Sequence, residues 1–120
     1  MTLAMATPLE FTVHRSRGLE TWDRALTFVD RYGSMKLRSV TESVIQTYDT
    51  PAQAQVPPNE TTTPVRYGYT VSRTAVADSI RIEVNCVASA PGGTEAGKNA
   101  HIAAYYILTG NIACARCIAR

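Results

Sequence analysis

The chain has 120 residues, of which 45% are hydrophobic and 18% charged, and its formal net charge is +2. This length predicts a single domain over residues 1–120, and no apolar run reaches the ~18 residues of a membrane-spanning helix. No run of Lys and Arg resembles a nucleic-acid-binding tail. The charged share lies below the globular average of about a quarter, which indicates that other subunits withdraw part of the surface from water.

The N-terminal residues and the cysteines indicate where the chain is made. The segment MTLAMATP lacks a basic region and a long apolar core, so no signal peptide is expected, and residues 1–8 are predicted to be flexible. Three cysteines without a secretory signal are typical of cytosolic thiols rather than of a disulfide framework. The sequence therefore predicts a cytoplasmic origin.

The first element is a strand that begins at residue 9. Leu9, Phe11 and Val13 alternate with polar residues, which is the period of a half-buried strand. The next stretch carries two signals. Its apolar residues have helical spacing, at Leu19, Trp22, Leu26 and Val29. The β-branched and aromatic content of 26–31 favours a strand there, and 19–25 stays open between helix and strand.

Three further strands are predicted, over residues 37–48, 65–73 and 79–89, from their β-branched content and alternation. Residues 49–64 contain four prolines and are predicted to be a long loop. The β-region thus covers 9–89.

A helical region is predicted over residues 94–120. Thr94 is a suitable N-cap with Glu95 in the first turn, and the helix runs to Leu108 before Gly110 and Asn111 break it. A second short helical piece is expected over 112–120.

Burial is the main difficulty for this arrangement. Strands with alternating apolar faces and one terminal helix cannot cover those faces within so small a chain. The sequence therefore favours a self-associating shell or scaffold protein over an enzyme.

Individual reactive residues give weak signals. Cys114 and Cys117 have the spacing of a redox or half-zinc motif, but too few further ligands are available for zinc, so buried or interface thiols are favoured and neither metal nor cofactor is expected. His14 and His101 are isolated. The chain has no glycine-rich phosphate loop, Ser/His/Asp signature or paired-carboxylate motif, and an enzyme with a cleft between subunits ranks third among the interpretations.

The polar faces of the strands carry a sharper hypothesis. If the strands are neighbours, their hydroxyl, amide and arginine side chains form one plate that can contact phosphates and bases. An ordinary solvated sheet face is the alternative.

Three stretches carry a family resemblance: Phe28-Val29-Asp30-Arg31 followed by Ser39-Val40-Thr41-Glu42-Ser43-Val44, then Tyr67 to Val71, then Ile80 to Asn85. Over about residues 8–112, their order and spacing resemble the coat proteins of single-stranded RNA bacteriophages, the levivirus type. The resemblance implies an α+β fold, an antiparallel β-sheet with an N-terminal hairpin and C-terminal helices. Two chains would intertwine as a dimer with one continuous sheet covered by helices.

The resemblance also implies a function. Dimers would assemble into an icosahedral virion capsid in the cytoplasm of the host bacterium and package single-stranded genomic RNA on the inner sheet face. They would bind an RNA hairpin to repress translation, with a maturation protein as a further partner and no membrane involved. The positions that match the RNA face are Ser39, Thr41, Ser43, Arg66, Gly68, Thr70, Arg81, Glu83 and Asn85.

The implied dimer interface consists of Tyr67, Tyr69, Ile80, Ile82, Val84, Ile102, Tyr105 and Tyr106. The family often has Lys or Arg at positions equivalent to Ile45, Gly68 and Thr70, so the plate is less basic here. The runner-up is a small, non-assembling dimeric α+β module that binds RNA or another ligand.

Overall fold

A computed structural model describes residues 1–33, 35–48, 65–89 and 95–120. Within these ranges the elements are α1 (Thr2–Ala6), β1 (Glu10–His14), α2 (Gly18–Tyr32), β2 (Leu37–Val40), β3 (Val44–Thr47), β4 (Tyr67–Val76), β5 (Ser79–Ala88) and α3 (Ala96–Thr109). Short 3-10 turns lie at Arg15–Arg17 and Ala115–Cys117. The predicted loop 49–64 and the predicted N-cap Thr94 lie outside the described ranges.

The strands form one antiparallel sheet in the order β1-β5-β4-β3-β2. Alternation along β4 and β5 separates a buried face, with Tyr69, Val71, Ile82 and Val84, from a polar face. The fold is α+β, as predicted. β1 pairs with β5 from Glu10↔Glu83 to His14↔Ser79, and the residues that follow β1 form α2.

The strand predicted over residues 26–31 is wrong, because α2 is one helix of 15 residues. Its buried side chains recur at helical spacing, at Thr21, Trp22, Ala25, Phe28 and Val29. Leu19 is 74% exposed, so the buried stripe is offset from the spacing that begins at Leu19. Tertiary burial of this stripe overrides the local strand preference of Thr27, Phe28 and Val29.

The single strand predicted over residues 37–48 is also wrong, because β2 and β3 form a hairpin. Thr41 makes the turn between them: its Oγ1 accepts hydrogen bonds from the backbone N–H groups of Ser43 (3.2 Å) and Val44 (2.9 Å). A threonine hydroxyl that bonds nearby backbone groups competes with the strand ladder.

The expectation that one chain cannot cover its own apolar sheet face is wrong as well. Phe28 of α2 is fully buried, with its ring centroid 5.6 Å from that of Tyr69 on β4 and 5.9 Å from that of Tyr106 on α3. The two helices therefore share one core with the sheet. The sequence interpretation lacked this second helix, which supplies the missing cover.

Arg17, which immediately precedes α2, and Arg24 within α2 hold the end of α3. Arg17 donates to the backbone oxygen of Leu108 at 2.6 Å, and Arg24 donates to Leu108 and Ile107 at 3.3 and 3.4 Å, so both arginines satisfy carbonyls that a helix end leaves unpaired. Gly110 follows with φ 81°, a left-handed conformation that favours glycine. The predicted break at Gly110 is confirmed.

The residues after α3 return along this helix. The buried Asn99 side chain donates to the backbone oxygen of Ala119 and accepts from its N–H, both at 2.9 Å, and Ile118 is 6% exposed. Cys114 and Cys117 form a disulfide with each other, which corrects the expectation of free thiols at these two positions. At the other end of the chain, residues 1–8 include α1, whose Ala4 is buried.

No helix in the described ranges has the length and apolar character needed to cross a bilayer.

Replacing Asn99 with Ala should lower the free energy of unfolding by about 2 kcal/mol, because it removes two hydrogen bonds and leaves the half-buried backbone groups of Ala119 without these partners. Urea unfolding followed by circular dichroism measures this. Asn111→Ala is the matched control, since Asn111 is exposed and its side chain makes no hydrogen bond within the described residues. Equal losses of stability in the two variants would show that the hydrogen bonds between Asn99 and Ala119 do not stabilise the fold.

Cys86 should make the protein less stable at alkaline pH. Burial raises the pKa of its thiol to about 12, so the unfolded chain, with a pKa near 9, releases this proton first. The stability that the protonated Cys86 thiol contributes is fully present below pH ~9 and is lost as pH rises toward 12. Between pH 8 and 10.5, wild type should lose about 2 kcal/mol more than Cys86→Ala. Urea unfolding of both proteins, with a phosphine reductant present, tests this; a stability difference that does not change with pH would refute it.

Candidate nucleic-acid interface

The candidate site is the polar side of the sheet, which we call the open face. It carries side chains of all five strands, among them Ser39, Gln46, Thr70, Arg81 and Asn85. Both long helices lie on the opposite side, over Tyr69 and Val84. Antiparallel sheets commonly leave one face without a cover of helices, and no helix of the described residues lies over this one.

A continuous row of uncharged polar groups crosses the middle of the open face. The strand register places Ser39 opposite Gln46, Gln46 opposite Thr70, and Thr70 opposite Asn85. Directly opposed side chains on one face lie about 5 Å apart. The row therefore presents two hydroxyls and two amides at a spacing that suits hydrogen bonds to base edges or sugars.

The charges beside this row are largely paired. Arg81 Nε lies 3.4 Å from a carboxylate oxygen of Glu10 and 3.5 Å from one of Glu83. One arginine between two carboxylates leaves this part of the open face with a net negative charge. Arg81 thus presents less positive potential to a phosphate than the sequence pattern suggests.

Seven of the nine predicted RNA-contact residues occupy the open face or its border: Ser39, Arg66, Gly68, Thr70, Arg81, Glu83 and Asn85. Thr41 and Ser43 do not align with Ser39 along one strand; they lie in the β2–β3 turn, where Thr41 bonds the backbone. The structure therefore brings together the residues of β4 and β5 and sets the turn residues at the periphery.

Sequence reasoning missed several residues of the open face, including Thr12, Gln46 and Tyr48. The sequence predicts one strand over residues 37–48, in which Ser39, Thr41 and Ser43 share the polar face, so it gives Gln46 and Tyr48 no role. The alternation of Val44, Gln46 and Tyr48 with the buried Ile45 and Thr47 was the signal that could have found them.

The residues expected at a dimer interface lie mostly inside the single chain. Tyr67, Tyr69, Ile82, Val84 and Ile102 are each 6% exposed or less. Ile80, Tyr105 and Tyr106 are half-buried. Their burial therefore needs no second subunit, and a dimer interface must involve other surfaces or an exchange of α3.

Tyr69 and His101 are polar groups on the helix-covered side of the sheet. The hydroxyl of Tyr69 has no hydrogen-bond partner among the described residues, and burial, with the neighbouring Cys86 thiol, raises the pKa of Tyr69. The ring of His101 bonds the backbone oxygen of Thr7 at 2.8 Å. Across 1–33, 35–48, 65–89 and 95–120, no three His, Cys, Asp or Glu side chains are grouped to hold a metal ion.

One cleft opens between the end of α2 and the start of β2. Its volume is about 330 Å³, and Val29, Asp30, Gly33, Met35, Lys36 and Leu37 line it. Its lining thus includes one lysine and one aspartate, and the cleft adjoins the edge strand β2 at Leu37.

Comparison with protein-family models, with curated proteins and with solved structures finds no match for this chain.

Proposed function

We propose that this protein is a non-enzymatic coat subunit that self-associates into a capsid and packages single-stranded RNA against the open face of its sheet. The observation that carries the proposal is the separation of the two sides of the sheet. α2 and α3 cover one side with a shared apolar core, and the other side is polar and uncovered within the described residues. A shell subunit needs such a division between a packed side and a side that faces its cargo.

The chemistry of the open face suits RNA bound without strong sequence readout. Hydroxyl and amide groups in the Ser39–Asn85 row can bond sugars, bases and phosphates. Because Arg81 is shared by two carboxylates, each subunit contributes little electrostatic affinity there. Packaging would then depend on many subunits acting on one RNA strand, with a strong dependence on salt.

We further propose that two subunits pair through β2, so that their sheets become continuous. β2 is at the edge of the sheet, and its Leu37 and Val40 are 36% and 49% exposed. An edge strand with exposed apolar side chains readily adds a strand from another chain. An exchange of α3 between subunits, as in an intertwined dimer, would add to this pairing.

The self-contained core also favours the non-assembling RNA- or ligand-binding module, since a subunit whose apolar face is already covered has less need of a partner. The number of subunits in the assembled particle distinguishes the capsid subunit from the non-assembling module. After expression in bacteria, size-exclusion chromatography with light scattering and absorbance at 260 and 280 nm should show a megadalton species rich in nucleic acid. A species of one or two chains without nucleic acid would reject the capsid proposal.

Negative charge on the open face should expel RNA. Replacing Thr70 and Asn85 with Asp adds two charges to neighbouring positions of the row, and we expect at least tenfold less nucleic acid per subunit because phosphates are repelled. Thr109→Asp with Asn111→Asp is the control, since it adds the same charge at exposed positions at the end of α3. The ratio of absorbance at 260 and 280 nm of purified particles measures the RNA content. Unchanged RNA content in the Thr70 and Asn85 variant would reject the open face as the RNA-binding surface.

A charge on the β2 edge should block dimers. Leu37→Lys places an ammonium group where a second β2 strand would pack, and we expect a monomer in light scattering. Val87→Lys is the matched control, because Val87 is also 36% exposed but lies on β5, away from that edge. A normally dimeric Leu37→Lys protein would exclude pairing through β2.

A further inference from the structure

The basic residues of this chain are not equally free to bind an anion. Among the described residues, five of the twelve basic residues form ion pairs with carboxylates: Arg15, Arg17, Arg24, Arg81 and Lys98. A sixth, Arg73, donates to the backbone oxygen of Glu42 and lies 4.5 Å from the centroid of the Trp22 ring. The remaining six are Arg31, Lys36, Arg38, Arg66, Arg116 and Arg120.

Topology brings five of these six cations to one end of the sheet. β2 begins, β3 ends and β4 begins at this end, because the three strands are antiparallel neighbours. α2 ends there at Tyr32, ahead of β2. The C-terminal residues return to it, since Arg120 lies 5.9 Å from the centroid of the Tyr32 ring. We call the group of Arg31, Lys36, Arg38, Arg66 and Arg120 the basic end.

Two of the guanidinium groups are held against aromatic rings. Arg38 lies 6.0 Å from the ring centroid of Tyr48, and Arg120 is similarly placed on Tyr32. A cation–π contact orients the guanidinium without neutralising it. The outer face of a guanidinium stacked in this way is available to an unpaired base, while its N–H groups are available to phosphate.

The electrostatic potentials of these cations add, because the cations lie close enough together for salt to screen them only in part. β2 and β4 are two strand spacings apart, about 10 Å, which is close to the Debye length of ~8 Å at physiological ionic strength. The acidic residues described at this end are Asp30, which lines the cleft with Lys36, and Glu95, which is paired with Lys98. Among the described residues, the five cations of the basic end therefore outnumber the acidic side chains near them, in contrast to the negative surroundings of Arg81.

We propose that the basic end, rather than Arg81 and its neighbours, provides the main phosphate-binding surface for single-stranded RNA. This inference rests on the proposed function and names the part of the subunit that supplies its electrostatic affinity. The central row of Ser39, Gln46, Thr70 and Asn85 would then bond the nucleotides that follow along the strand.

The test uses the purified protein, freed of nucleic acid, and a fluorescently labelled oligouridylate whose anisotropy is followed over a series of KCl concentrations. Lys36→Gln with Arg38→Gln should weaken binding about tenfold and reduce the slope of log K against log[salt] by about 1.4, the value for two lost phosphate contacts on a single strand. Arg15→Gln with Arg116→Gln removes the same net charge at exposed positions outside the basic end and should change the Kd by no more than about twofold.

Equal losses in the two double variants would overturn the inference, since they would show an effect of net charge alone, and would leave the proposed function standing. Wild-type protein that binds no oligouridylate at low salt would overturn both. A polyglutamate of equal length that binds wild type as tightly would assign the basic end to an acidic protein instead. If circular dichroism shows that the first variant is unfolded, Arg31→Gln with Arg120→Gln replaces it, with the same expected weakening and the same control.

Discussion

The contact of Phe28 with Tyr69 joins α2 to the centre of the sheet, and the other packing of the molecule is arranged around it. Phe28 is fully buried and also meets Tyr32 and Tyr106, so one side chain links both long helices to β4. Aromatic pairs of this kind add roughly 1 kcal/mol each beyond the area that they bury. With this contact in place, both helices must lie on the same side of the sheet. As a consequence, neither long helix covers the opposite side, which carries the polar residues of the strands.

The helix pair is held at both ends by polar contacts of different kinds. At one end Arg17 and Arg24 bond the last carbonyls of α3, and Glu20 accepts from Arg17, a hydrogen bond that, with the charge of Arg24, holds the pKa of Glu20 below its ordinary value. At the other end Asn99 ties the C-terminal residues to α3. These contacts leave Arg17 and Arg24 unavailable to a ligand. Most of the cations that have no ion pair within the described ranges therefore lie at the basic end.

The open face and the basic end together suggest how one small subunit could combine weak sequence preference with salt-dependent affinity. Uncharged groups of the central row offer hydrogen bonds with little electrostatic attraction, and the basic end offers attraction with little readout. Separate surfaces for the two tasks would allow many copies to bind one RNA cooperatively without any copy binding it tightly. This arrangement differs from the single hydroxyl-and-arginine plate that the strand pattern predicted, because Arg81 is paired with Glu10 and Glu83.

The sequence by itself determined the elements whose signals are local and uniform. The alternation of Tyr67, Tyr69 and Val71, that of Ile82 and Val84, and the helix that ends before Gly110 all follow from side-chain periodicity and from glycine's access to positive φ. Only the tertiary structure decided the state of residues 26–31, because burial of Phe28 and Val29 against the sheet outweighs their preference for strands. It likewise decided the turn at Thr41, which reverses the chain and changes which residues of 37–48 face outward. Ion pairing was also beyond the sequence, since Glu10 and Arg81 are 71 positions apart and meet only because β1 pairs with β5.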